Sequence, residues 1–306
     1  MSSINTNPSA MTALQSLKVT NKALEDTQNA ISTGFRVASA RDNAAYWSIA
    51  TTMRSDNKAL STVQDALGLG AATVDVMYTA VSSSIDAVDE IKAKLVAARE
   101  PGVDRAKIQS EISELQAQLR GNAEAASFSG ENWLAVDSSL PNYTATKEVV
   151  SSFSRSDTGV AVSTITIDLT TVKLYDDNDQ SGVLDTETTT TGGGAVTVSV
   201  STLDITAANI DNTDIDELIS FVDSALLQMT TTATHLGSAQ ARIELQQSFV
   251  SNLMDAVDRG IGQLVDADLN EESTRLQALQ VQQQLGIQSL SIANANSQNI
   301  LSLFRG

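Results

Sequence analysis

Residues 53–95 read MRSDNKALSTVQDALGLGAATVDVMYTAVSSSIDAVDEIKAKL, and every seventh position is apolar: Met53, Leu60, Leu67, Val74, Val81, Val88 and Leu95. A second ladder runs through Ile215, Val222, Met229, Leu236, Ile243, Val250, Val257 and Leu264. A strict seven-residue period marks long helices whose seams follow a left-handed supercoil. Ile49, Val63, Met77 and Ile91 lie three residues after or four before a rung, as do Leu218 and Leu253, which strengthens the reading. One long helix cannot stand on its own ladder, because ordering each residue costs on the order of 1–2 kcal/mol. The pattern therefore calls for helix packed against helix.

The breakers divide the chain. Only Pro8, Pro101 and Pro141 occur, so the first ladder runs unbroken from about Asn43 to Glu100 before Pro101-Gly102 turns it. Asp104 is placed to cap a second helix with Ile108, Ile112, Leu115 and Leu119 on one face. From Asn142 to about Thr206 the period falls to two, as in Ile165, Ile167 and Leu169 or Val196, Val198 and Val200, with turns at 176–182 and 192–194. The expected fold is mainly α: a long antiparallel coiled-coil bundle of helices 43–100, 104–125 and 213–268, with a small β-rich domain inserted in the middle. Terminal helices occupy 1–42 and 269–306, the bundle 43–140 and 207–268, and the β-rich unit 141–206.

Composition narrows the partners. The 306 residues are 42% hydrophobic, enough for a real core, and 37 acidic against 19 basic residues give a net charge of −18. That charge repels nucleic acid and anionic lipid surfaces. Cysteine is absent, which excludes disulfides and thiolate metal sites. No cleavable secretory signal and no membrane-spanning run is visible, so export would follow another route.

Both ends are nearly uncharged, with no charge before Lys18 and none from Leu276 to Phe304. Each still keeps helical apolar spacing, through Leu17, Leu24 and Ile31 and through Leu276, Leu279, Leu290, Ala293, Ile300 and Phe304. A charge buried in a homopolymer is repeated in every subunit and costs several kcal/mol per ion. Neutral amides and hydroxyls instead hydrogen-bond across subunits. An ordinary soluble helical hairpin with neutral faces explains the same composition, while in a self-polymerising subunit Leu17, Leu24, Ile31, Leu290, Ile300 and Phe304 are the candidate subunit-interface residues, on ends too sparsely apolar to fold alone.

Several stretches resemble bacterial flagellin: Ile4-Asn5-Thr6-Asn7 with Ala10, Thr33-Gly34-Phe35-Arg36-Val37, Ala40-Arg41-Asp42-Asn43-Ala44-Ala45, and 293–305 (ANANSQNILSLFR). The resemblance covers about 1–140 and 210–306, and Ala-Tyr-Trp-Ser-Ile-Ala at 45–50 is similar to the alphaproteobacterial type. It implies an extracellular, self-polymerising filament subunit, exported without a cleaved signal peptide, with sister flagellins as candidate co-assembly partners. It implies an export chaperone, the export apparatus, the filament cap and hook-junction proteins as further partners, with paired terminal helices lining the inner tube. Tyr46 and Trp47 are expected as packing anchors. The stretch 91–96 (IKAKLV) lacks the family's Arg-Glu-Leu pattern, which implies weak recognition by the animal innate-immune receptor. A hook-filament junction protein shares the end motifs, and a secreted coiled-coil adhesin is the rival from another class.

No catalytic or cofactor-binding constellation is present. His235 is the only histidine, so multi-histidine metal motifs are impossible. Asp177, Asp179, Ser181 and Asp185 with Gly182 fit part of a calcium loop, but its twelfth place is Thr188 and no flanking helices are expected. An acidic hairpin turn explains the same residues. The Thr188–Thr191 and 197–202 hydroxyls offer O-glycosylation sites but equally suit solvent-facing strands, and Asn142-Tyr143-Thr144 is a lone sequon. Gly68, Gly70, Gly260 and Gly262 sit within helical pattern, where they suit close approach rather than a nucleotide loop.

Overall fold

The computed structural model describes residues 6–156 and 159–303, with side chains of the last helix described as far as Ala295. Helices α1 (Pro8–Thr33), α2 (Ala44–Ala98) and α3 (Arg105–Ala125) come first. Short strands β1 (Ser127–Phe128), β2 (Glu131–Asn132) and β3 (Ala135–Val136) lead to a longer pair, β4 (Thr146–Ser156) and β5 (Gly159–Asp168). Then β6 (Tyr175–Asp176), β7 (Thr188–Thr189) and β8 (Thr197–Val198) precede α4 (Asn212–Val265) and α5 (Leu269–Leu303). The fold is mainly helical, with small strand elements in the middle. The chain divides into two compact units, residues 59–253 and residues 1–58 with 254–306.

In the 59–253 unit the ladders are the core. Leu60, Leu67, Val74, Val81, Val88 and Leu95 are buried on α2, and Ile215, Val222, Met229, Leu236, Ile243 and Val250 on α4. A second buried row three residues on alternates bulk and gap: Val63, Gly70, Met77, Ser84, Ile91 and Ala98 on α2, with Leu218, Ala225, Thr232 and Ala239 on α4. Polar links flank the seam: Lys92 with Asp223, Arg99 Nε to Asp216 at 2.6 Å, and Gln240 donating to Asp75 at 3.3 Å. Asp104 caps α3 through the Ala106 N–H, and α3 buries Ile108, Ile112 and Leu119.

The middle is less sheet-like than its alternation suggests. Among the described residues four two-stranded pairings form: β1–β2, β4–β5 and β7–β8 antiparallel, and β3–β6 parallel. Ile165 and Ile167 point inward on β5, but Leu169 opens a 3₁₀ turn, and only Thr197–Val198 of the 196–200 run is a strand. Side chains take the backbone donors leading into it. The Thr191 N–H donates to Glu217, Gly193 to Asp211, Gly194 to Asp214, and Val196 to Thr190 Oγ1. Gln109 and Gln116 of α3 then donate to the Leu203 and Val200 carbonyls and hold the 200–205 segment by amides. A Cβ on Gly192 would lie 2.5 Å from the Asp214 carboxylate, so a larger residue there would have to displace that buried side chain.

The anchoring expectation for Tyr46 and Trp47 fails: both are exposed, as is the neighbouring Ile49. The inward place in that turn of α2 belongs to Ala50, packed with Val37, Ile261 and Val265. Larger side chains at 46, 47 and 49 therefore face outward.

Candidate assembly surface at the chain ends

The unit containing both ends is built around a short junction. Gly34 takes the left-handed conformation (φ 74°) that ends α1 and returns its N–H to the Ala30 carbonyl; glycine adopts it without steric penalty. The Arg36 and Val37 N–H groups donate to the Val265 carbonyl, and the Ala267 N–H donates to Gly34 O. Arg36 Nη2 lies 3.1 Å from the Leu264 carbonyl, a cation at the negative end of α4. Arg54 sits 4.9 Å over the Phe35 ring. Asp42 accepts from the Ser39 and Ala38 N–H groups, and these bonds, the Ser39 backbone first, hold its carboxyl below the usual range. Asn43 caps α2 through the Ala45 and Tyr46 N–H groups. Gly34, Phe35, Arg36, Val37, Asp42 and Asn43 of the two junction motifs thus each have a local task.

Beyond the junction α1 packs on α5. Asn7 caps α1 by accepting from the Ala10 N–H and donates from Nδ2 to Ala293 O at 2.9 Å. Gln283 donates to Asn21 at 2.8 Å. Leu17 lies over Gly286, where a Cβ would stand 3.2 Å from Leu17 Cδ1. The half-buried or buried positions of α1 include Ala10, Ala13, Leu17, Thr20, Leu24, Thr27 and Ile31, and those of α5 run Glu272, Leu276, Leu279, Gln283, Gly286, Leu290 and Ala293. Both rows step by alternating threes and fours, the heptad spacing.

Leu17, Leu24, Ile31 and Leu290 therefore stand on these two inner rows. The Ile300 side chain and Phe304 lie outside the described residues. What the spacing of the inner rows concealed is a second row on α5. Val281, Leu285 and Ile292 are exposed, Leu285 at 57%, and flanking Ala278 and Ala295 continue the same three–four spacing. Being two residues out of phase, this row points nearly opposite to the inner one. Met11, Leu14 and Val19 of α1 are exposed as well. The readable signal was the apolar residues left over once one heptad row had been drawn.

The acidic loop of the other unit is occupied by the chain's own cations. Lys173, buried, reaches Asp176 Oδ2 at 2.6 Å, Ser181 Oγ, and lies 3.9 Å from Asp179. Arg120 takes Asp177 at 2.9 Å, and Asp185 accepts from Ser201 and the Asp176 N–H. Burial would push the Asp176 carboxyl up, but hydrogen bonds from Lys173, Ser138 and Asn178 outweigh it and hold it below the usual range. An ammonium thus stands where a calcium ion would need oxygen ligands, and among the described residues no three metal-ligating side chains gather. Nor is any helix among them long and apolar enough to cross a membrane.

The family models for the bacterial flagellin N-terminal helical region and C-terminal helical region match residues 4–138 and 219–304. Flagellin C of Rhizobium meliloti (strain 1021) is 53% identical over the whole of both chains. Flagellin A of the same strain is 46% identical and the flagellin of Brucella melitensis 47%, again over their full lengths. Neither the hook-junction nor the adhesin reading is favoured by relatives of this kind. With both helical arms matched, the chain belongs to the bacterial flagellins: it is a structural subunit of the extracellular flagellar filament and not an enzyme.

Proposed function

We propose that the chain ends are the polymerisation surface of this subunit and that its two α5 rows divide the work. The inner row, with Leu17, Leu24, Ile31 and Leu290, pairs α1 with α5 inside one chain. Val281, Leu285 and Ile292 meet the next copy, and Ile300 and Phe304 extend the same uncharged end. The observation that carries this is an α5 with apolar rows on two opposite faces and no charge from Leu276 to Phe304. Heterologous contacts of one such face generate an open helical tube.

The bundle 43–140 with 207–268 forms the surrounding shell, and 141–206 stands on the outer surface of the filament. We take α2 and α4 as an antiparallel coiled coil: one heptad up α2 from Lys92 to Arg99 is one heptad down α4 from Asp223 to Asp216. Export proceeds unfolded, without a cleaved signal, through the flagellar export apparatus and its chaperone, and the cap and hook-junction proteins flank the growing filament. Co-assembly with sister flagellins uses the same ends.

Deleting residues 1–30 tests the assignment. The expected product is a soluble helical monomer by circular dichroism that never elongates seeds in electron micrographs. Filaments from that variant would refute the placement. Leu285→Ser with Ile292→Ser should likewise leave the monomer's melting unchanged while raising the concentration needed for growth.

A further inference from the structure

The β4–β5 hairpin changes its apolar face partway along. Near the bundle, Val149 pairs with Ile165 and Lys147 with Ile167, and the apolar members of these pairs are buried. Val149 presses on Gly70 of α2, where a Cβ would meet its Cγ1 at 2.4 Å. At Ser151 the register shifts by one residue. Directly paired residues share a face and faces alternate along a strand, so an extra residue turns the following side chains over. Beyond the bulge, the original face carries only Ser152, Ser163, Ser154 and Ala161, while Phe153 with Val162 and Arg155 with Val160 lie on the opposite one. Val160 and Val162 are 55% and 56% exposed. Phe153 beside them is half-buried, and Ser154, Ala161 and Ser163 on the other face are exposed too, so the outer half of the hairpin stands in solvent with its apolar side chains gathered on one face.

We propose that the Phe153–Val160–Val162 face is covered by a second copy of this chain in the filament. The inference rests on the assembly reading above. Size decides the occupant: three side chains offer far less than the roughly 1,200 Å² that a free-standing stable complex buries. A separate soluble partner would not be held by it. A neighbouring subunit already tethered by the chain ends would be, because linked contacts act at high effective concentration. A two-stranded ribbon is marginal in water by itself, and such cover gives its outer half the third layer it lacks.

The absence of cysteine makes the test clean. Val162→Cys and, on the opposite face, Ser154→Cys are each labelled in the full chain with a polarity-sensitive fluorophore and polymerised on seeds. Emission from position 162 shifts to shorter wavelength on assembly and becomes protected from a soluble quencher, while position 154 stays wet. An unlabelled Val160→Ser/Val162→Ser chain, with monomer melting unchanged, needs about tenfold or more higher concentration to elongate, as expected for losing two buried valines. Filaments in which 162 stays wet, in which both positions respond alike, or whose growth ignores the double substitution overturn the proposal and leave the assembly reading intact. Failure of the unsubstituted chain to elongate seeds removes both readings.

Discussion

At Lys173 and Asp176 a single pair fixes how the loop behaves. Both side chains are buried, and removing one partner of such a pair costs about 3–5 kcal/mol because the other charge is left stranded. Asp176→Asn should therefore lower monomer stability by that order in urea unfolding near neutral pH. The pH dependence follows in sign. The folded Asp176 carboxyl is depressed, so its contribution is complete above the unfolded carboxylate value of about 4 and fades as pH falls toward the depressed folded one. Burial would lower the Lys173 ammonium, but its bond to Asp176 outweighs that and raises it. Its share is therefore complete below about 10.4 and is lost at more alkaline pH. The stability gap between the parent and Asp176→Asn should accordingly narrow as urea unfolding is repeated at pH values below about 4. A gap that stays constant there would contradict the assignment. The sequence showed the acidic loop and its Gly182, but not that Lys173 fills it, because a lysine three residues before an aspartate says nothing about burial.

At the scale of elements, the helices were readable and the strands only partly so. Heptads repeat over seven and eight rungs and set α2 and α4 to within a few residues, since a helix supplies its own backbone partners. Strand runs need a neighbour, and on either side of Thr197–Val198 the backbone meets side chains instead, carboxylates at 191–194 and α3 amides at 200–205, which no periodicity encodes. Gly70 shows how one element seats another. Helix propensity favours Gly70→Ala by about 1 kcal/mol, yet the new Cβ would strike Val149, and overpacking costs about 1–3 kcal/mol. The substitution should be net destabilising, and adding Val149→Ala should recover most of the loss. Thermal melts of the single and double variants provide the cycle, and a Gly70→Ala chain as stable as the parent would contradict the packing argument.

For the whole molecule, assembly sets a charge problem. Each subunit carries −18, so packing copies side by side concentrates repulsion that salt screens within about 10 Å at 0.1 M. Elongation on seeds should accelerate as sodium chloride rises from low ionic strength, measured by light scattering, while the uncharged ends themselves contribute no salt-sensitive term. The sequence by itself determined that two long helical arms flank a strand-forming middle and that the ends avoid charge. These follow from local periodicity and composition, which act through the chain's own backbone and solvation. Only the tertiary structure decided which apolar residues are used inside one chain and which are left over. Leu17 and Leu290 turned inward, Val281, Leu285 and Ile292 outward, and the hairpin reversed its apolar face at Ser151. A heptad or an alternation names a face, but whether that face is already covered depends on what the rest of the chain brings against it.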